Sequence, residues 1–202
     1  MRPSSIDVIA SALHDLPAPP PADLSSPDGA ITLLFCEIAD MEQVRALLAE
    51  ERLSELLANQ RAIVEKIADL HSGAIAHGHS DGFLITFDST HAALHCAIEL
   101  QRAFAPLTRS ATKVPISLRV GLHSGFVIGE HENLYGRNIV LGARIACHAR
   151  GGEIIVSAKV REYTHTDPGF AFIPRGEHHF KGLHGEHELF AVEWRQQAAP
   201  VV

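Results

Sequence analysis

Imidazole and carboxylate side chains gather at two places where their types could hold a cation. His77, His79 and Asp81 alternate, so a strand would put them on one face, and His178, His179, His184 and His187 crowd a later stretch. Such groups are ligands for Zn²⁺ or another transition metal. Neither set matches a known ligand spacing, and histidines in turns are usually solvated. Asp81 also has a plainer reading: with Gly82 beside it in the polar run GHSDG, it closes a hairpin turn. Asp40 and Glu42 suit the start of a helix, where carboxylates complement the positive end of its dipole. Cys36, Cys96 and Cys147 are odd in number and widely spaced, which fits neither a disulfide framework nor a Cys-rich zinc site.

The elements that must position these residues are legible from periodicity. AITLLFCEI has the length and composition of a central strand buried on both faces. From Met41 to Leu70, apolar residues recur every three or four positions and predict one long helix, with Gly73 just past its end. Ala74–His77 and Gly82–Phe87 read as two strands of a hairpin. Thr90–Phe104 reads as an amphipathic helix capped by Thr90. In PISLRVGLHSGFVIGE, Ile116, Leu118, Val120 and Leu122 alternate with polar residues as in a strand, and Ser124-Gly125 predicts an interrupting turn or bulge. A third helix is expected over Ile139–Ala149, with further strands at 153–157, Phe170–Ile173 and Glu188–Trp194. The order strand, helix, strand, strand, helix, strand describes an α/β sandwich, helices packed on a mostly antiparallel sheet.

Ahead of this core, Ser4 to Leu16 places Ile6, Ile9, Ala10 and Leu13 on one helical face behind a serine cap. Prolines at 17, 19, 20, 21 and 27 then forbid continued helix. Residues 1–29 are therefore expected to be a tail with linker character, 30–195 the folded domain and 196–202 a second tail. The alternative is that the Ser4–Leu16 helix docks on a partner or a second copy of the chain.

The chain has 202 residues, 46% of them hydrophobic and 20% charged, enough for one domain with a sizeable core. A net charge of -7 argues against a surface that neutralises nucleic-acid phosphates. No apolar run approaches the roughly 18–20 residues of a membrane span, and the first residues lack a signal design. With the unpaired cysteines, these features predict a cytoplasmic protein with no nucleic-acid or membrane partner.

The strings LLFCEIAD, HSDGFLITF, SLRVGLHSGFVIGE, YGRNIVLGARIACHARGGEIIVS and FKGLHGEHELFAV occur in that order. Together they resemble the landmarks of class III adenylate and guanylate cyclase catalytic domains, from about Ile31 to Trp194. The resemblance implies a ferredoxin-like βαββαβ core and a site shared across a homodimer or a cyclase-like heterodimer. It also implies a two-ion Mg²⁺ or Mn²⁺ reaction in which the ribose 3'-hydroxyl of a nucleoside triphosphate attacks the α-phosphorus.

Carried over position by position, the resemblance assigns the metal carboxylates to Glu37, where the family has aspartate, and to Asp81. The extra methylene of Glu37 weakens metal binding. The loop that approaches the triphosphate corresponds to Ile38, Ala39, Asp40, Met41 and Glu42, with Asp40, Met41 and Glu42 in place of Gly-Phe-Thr. Its two carboxylates repel a polyanion. His77 and Asn133 fall at the base-reading positions and lack the adenine-selecting lysine pattern. Arg144 stands at the transition-state arginine, Val140 replaces the asparagine four residues before it, and Leu183 replaces a phosphate-facing lysine. Lys181 is expected to be a strand or turn residue.

These departures predict a cyclase-homology domain in cyclic-nucleotide signalling with low or no conversion of nucleoside triphosphate to cyclic nucleotide and pyrophosphate. Two alternatives stand beside it. One is an active cyclase of unusual base preference, Mn²⁺-dependent or heterodimeric; the other is a non-catalytic module that binds a nucleotide or a protein.

Overall fold

The computed structural model describes residues 3–13, 30–109, 116–126 and 134–195. The described elements run α1 (Ser5–Leu13), β1 (Ala30–Ile38), α2 (Met41–Leu47), α3 (Glu50–Leu70), β2 (Ala74–His79), β3 (Gly82–Phe87) and α4 (Thr90–Arg109). They continue with β4 (Leu118–Phe126), α5 (Leu134–His148), β5 (Ile154–Ser157), α6 (Ala158–Thr164), β6 (Phe172–His178) and β7 (His187–Val192). The seven strands form one sheet in the order β2-β3-β1-β4-β5-β7-β6, antiparallel except for the parallel β4–β5 pair. The first four strands with α3 and α4 make the βαββαβ core, in the mixed α/β class expected from the sequence.

β1 lies between β3 and β4, and its alternating side chains serve two cores. Leu34, Cys36 and Ile38 pack into the main cluster with Val64 and Ile67 of α3 and Leu94, Ala97 and Phe104 of α4. Ile31, Leu33 and Phe35 pack on the opposite face with Ile6 and Ile9 of α1 and Ile139, Ala143 and Ala146 of α5. Glu37 has the same parity as Phe35, so the pleat aims its carboxyl at the face that carries α1 and α5. Gly121 on β4 permits α5 to sit close, because a Cβ there would lie 2.3 Å from the main-chain nitrogen of Ala146.

Some boundaries differ from the expectations. The helix expected from Met41 to Leu70 is broken: Leu48 (φ -102, ψ 139) and Ala49 are extended between α2 and α3. Leu48 and Leu53, on either side of the break, both pack against the main core. Ser124-Gly125 does not interrupt β4, since Ser124 pairs with Thr32 and Gly125 with Ile31 in an unbroken ladder. Ser89, not Thr90, caps α4 by accepting the Ala92 N–H at 3.3 Å, because the Thr90 hydroxyl bonds to Thr32 at 2.9 Å. α6, which had no expectation attached to it, follows β5 directly.

The N-terminal helix packs on its own domain. Ile6 and Ile9 are each 0% exposed. Ser4 caps α1, its Oγ accepting the Asp7 N–H at 3.1 Å. The proline-rich stretch 14–29 and the segment 196–202 lie outside the described residues. Among the described residues no helix is long and apolar enough to cross a membrane.

Candidate active site

Glu37, the penultimate residue of β1, stands directly opposite Arg119 of β4. Arg119 donates to Glu37 Oε1 through Nε at 2.7 Å and through Nη2 as well. The other oxygen, Oε2, accepts the main-chain N–H of Ile6 at 2.9 Å. Ile6 is in the first turn of α1, where N–H groups have no partner within the helix and the dipole is positive. A carboxylate buried to 2% exposure is thus flanked by a guanidinium and a helix N-terminus. Burial pushes the Glu37 carboxyl above the ordinary carboxylate range, and the nearby Asp81 charge adds to it, against the pull of Arg119 and the Ile6 N–H.

Asp81 sits in the β2–β3 turn, after Ser80, whose φ of 54 is left-handed. It is 2% exposed. Its Oδ1 accepts the Ser5 hydroxyl at 2.7 Å, and its carbonyl accepts Gln60 Nε2 of α3 at 2.6 Å. Gly82 is what lets α1 come this close: a Cβ there would lie 2.7 Å from the Ser5 Cβ. Successive residues of α1, Ser5 and Ile6, therefore hold the two carboxylates expected to bind metal.

In the 38–42 loop, Ile38 still belongs to the β1–β4 ladder and Ala39 donates its N–H to the Ser117 carbonyl at 2.8 Å. Asp40 takes the left-handed conformation (φ 53) at the start of α2 and makes no side-chain cap. Aspartate tolerates this conformation, which glycine adopts without strain. Asp40 and Glu42 are exposed, Met41 is partly buried.

Arg144 and Val140 lie one turn apart on α5. Arg144 Nη1 donates to Asp7 Oδ1 at 3.0 Å, so a third α1 residue engages a site position. Cys147, the next turn on, lies 3.6 Å from Ser4 Oγ, and burial raises its thiol pKa. Val140, partly buried, presents no hydrogen-bonding atom. His77 is on the edge strand β2, opposite Leu84 of the α1-facing cluster. Asn133 lies outside the described residues. Leu183 is not brought to this cluster; it sits in the β6–β7 connection, at the other end of the sheet, its N–H donating to the Phe180 carbonyl at 3.0 Å.

The fold thus gathers Glu37, Asp81 and Arg144 around the start of α1. Sequence reasoning missed Arg119, Ser5, Ile6 and Asp7. For Arg119 the available signal was a charged residue in a strand otherwise bound for the core. For α1 it was the apolar stripe of Ile6 and Ile9.

Among the described residues, no group of three or more His, Cys, Asp or Glu is placed to hold a metal ion. His178 instead packs edge-on against His148 at 4.2 Å. The Glu37 and Asp81 pair does not fit a divalent ion as it stands. Both Glu37 oxygens are engaged by positively polarised donors, and an ion would enter only by displacing them.

The family described as the adenylate and guanylate cyclase catalytic domain matches residues 25–193. The chain belongs to that family. Domains of this kind are generally dependent on divalent metal. A putative adenylate cyclase of Rhizobium meliloti is 31% identical over 129 residues, covering 63% of this chain and 22% of that protein. Other curated relatives, from mycobacteria, match over about half of their own length, 53%. The fold is similar to the crystal structure of the adenylyl cyclase CyaB from P. aeruginosa, with TM-score 0.73 and 19% identity over 81% of this chain and 93% of that one. It is also similar to the guanylate cyclase domain of RhGC from Catenaria anguillulae in complex with GTP, with TM-score 0.69 and 18% identity over 82% of this chain and 96% of that one. Similar structures include both dimeric and monomeric cyclase domains.

Proposed function

We propose that this cyclase-homology domain serves cyclic-nucleotide signalling with low or no intrinsic conversion of nucleoside triphosphate to cyclic nucleotide and pyrophosphate. The observation that carries this reading is the double engagement of Glu37 by Arg119 and Ile6. A carboxylate that already neutralises an internal guanidinium offers little charge to a second cation. Two replacements support the reading. Val140 has no donor for the ribose, and losing one such contact commonly costs a factor of roughly 100 in rate. Leu183 supplies no cation for the phosphates. His77 and Asn133 leave the preferred base open, each able to donate and accept hydrogen bonds. The domain is proposed to work as a homodimer or with a cyclase-like partner, as the family's shared site requires; light scattering that finds only monomer at high protein concentration removes that part.

The test is a mass-spectrometric assay of the purified protein with ATP, GTP, CTP and UTP separately, in Mg²⁺ and in Mn²⁺, with Asp81→Ala as the blank. The expected result is no cyclic product above the blank. A cyclic product that disappears in Asp81→Ala overturns the reading in favour of an active cyclase of unusual residues and names its substrate.

A further inference from the structure

In a site shared across a dimer, metal–triphosphate ligands would bring cations to the Glu37 and Asp81 positions and negative charge to the Arg144 position, the two sets meeting across the pair of chains. The start of α1 supplies the same pattern from within the chain. Its first-turn N–H at Ile6 and the Ser5 hydroxyl meet the two carboxylates, and the Asp7 carboxylate meets the arginine. Three consecutive residues of one helix thus satisfy three positions scattered over β1, the β2–β3 turn and α5. The helix is held there by Ile6 and Ile9, fully buried against Leu33, Phe35, Leu84 and Ile139. Gly82 removes the side chain that would block the approach.

We propose that α1 is an internal occupant of the cleft, so that residues 4–13 must undock before a metal-bound nucleotide can reach Glu37 and Asp81 and before Arg144 is free for the site shared with a partner chain. This rests on reading the site as the cyclase cleft. Undocking is accessible, because a nine-residue helix has little stability of its own and depends on the surface it packs against. Without α1 the sheet keeps the separate main core of α3 and α4, and α5 keeps the packing of Ile145 and Ala149 on Ile155, Leu189 and Ala191.

Cys147 reports the docked state. Cys36 and Cys96 are 0% exposed, whereas Cys147 is partly exposed beside Ser4 and Asp7, so native-state thiol labelling follows α1. The experiment compares full-length wild type with Ile9→Asp, which removes the anchor, with Gly82→Ala, which crowds Ser5, and with Ser4→Cys. In the last, a thiol stands 3.6 Å from Cys147 and oxidation locks α1 in place. Fluorescent mant-ATP and mant-GTP are titrated with Mn²⁺ and followed by anisotropy. Binding at least tenfold tighter in Ile9→Asp or Gly82→Ala than in wild type, with faster Cys147 labelling, is expected. Oxidised Ser4→Cys is expected to bind neither nucleotide until it is reduced. Equal affinity in wild type and in a release variant whose labelling shows α1 undocked overturns the proposal. So does the absence of binding in such a variant, which leaves the reading of a degenerate cyclase standing. Cyclic product from a release variant has the reverse effect: it supports the occupant and overturns the degenerate reading.

Discussion

Glu37 and Arg119 stand directly opposite each other in the β1–β4 ladder, and the guanidinium holds one carboxylate oxygen while α1 holds the other. Removing the two partners should not cost the same. Arg119→Ala leaves a nearly buried carboxylate without its counter-charge and is expected to destabilise the fold by about 2–4 kcal/mol. Glu37→Gln keeps one oxygen to accept from Arg119 and loses the acceptor for the Ile6 N–H, while burial already disfavours the charge it removes. It is expected to cost less than about 1.5 kcal/mol. Urea unfolding of both variants checks the asymmetry; equal losses would contradict it.

His123 supplies a pH dependence. It is 6% exposed, bonded to Ser157 at 2.9 Å and to Asn138 at 3.2 Å, and burial holds its pKa down at about 4. The unfolded chain binds this proton near pH 6.5, so stability is full above that value and falls as pH drops toward 4. The loss is expected to be roughly 2–4 kcal/mol across that window. Replacing His123 with Gln should flatten this limb in denaturation midpoints measured at pH 7, 6 and 5.

Two glycines separate steric crowding from backbone strain. Gly121→Ala puts a methyl 2.3 Å from the backbone of α5, which must shift as a unit, at an expected cost of about 2–4 kcal/mol. Gly182→Ala meets nothing within 4 Å but sits at φ 86, so only the left-handed penalty of about 1 kcal/mol applies. Thermal midpoints rank the pair, and the order should not reverse.

Docking of α1 predicts a local effect. Ile9→Ala removes buried methyl groups from the α1 cluster alone and should speed amide exchange across residues 5–13 by about tenfold or more, with α4 unchanged. Exchange rising equally in both helices would mean that α1 is part of the global folding unit.

The apolar run of β1, the β2–β3 hairpin and the order of the core elements were legible because burial on two faces and helical periodicity leave strong marks in composition. The break at Leu48-Ala49 was not, because the apolar spacing continues across it. Glu37, Asp81 and Arg144 could be singled out through the family landmarks. Their partners could not: Arg119 meets Glu37 only through strand register, and Ser5, Ile6 and Asp7 reach the cleft only through tertiary packing. The amphipathic stripe of α1 announced that something would be covered, without saying what.

Asp7 and Arg144 lie 137 positions apart in sequence, so α1 closes one of the longest loops in the molecule. Loop-closure entropy disfavours that contact early in folding, and α1 has little helicity before its docking surface exists. Its surface requires β1, β3 and α5 to be assembled first. The sheet is therefore expected to assemble with the cleft uncovered, and α1 to close it last. In that interval Glu37, Asp81 and Arg144 face solvent, and whatever is present during synthesis meets them before the chain's own helix does.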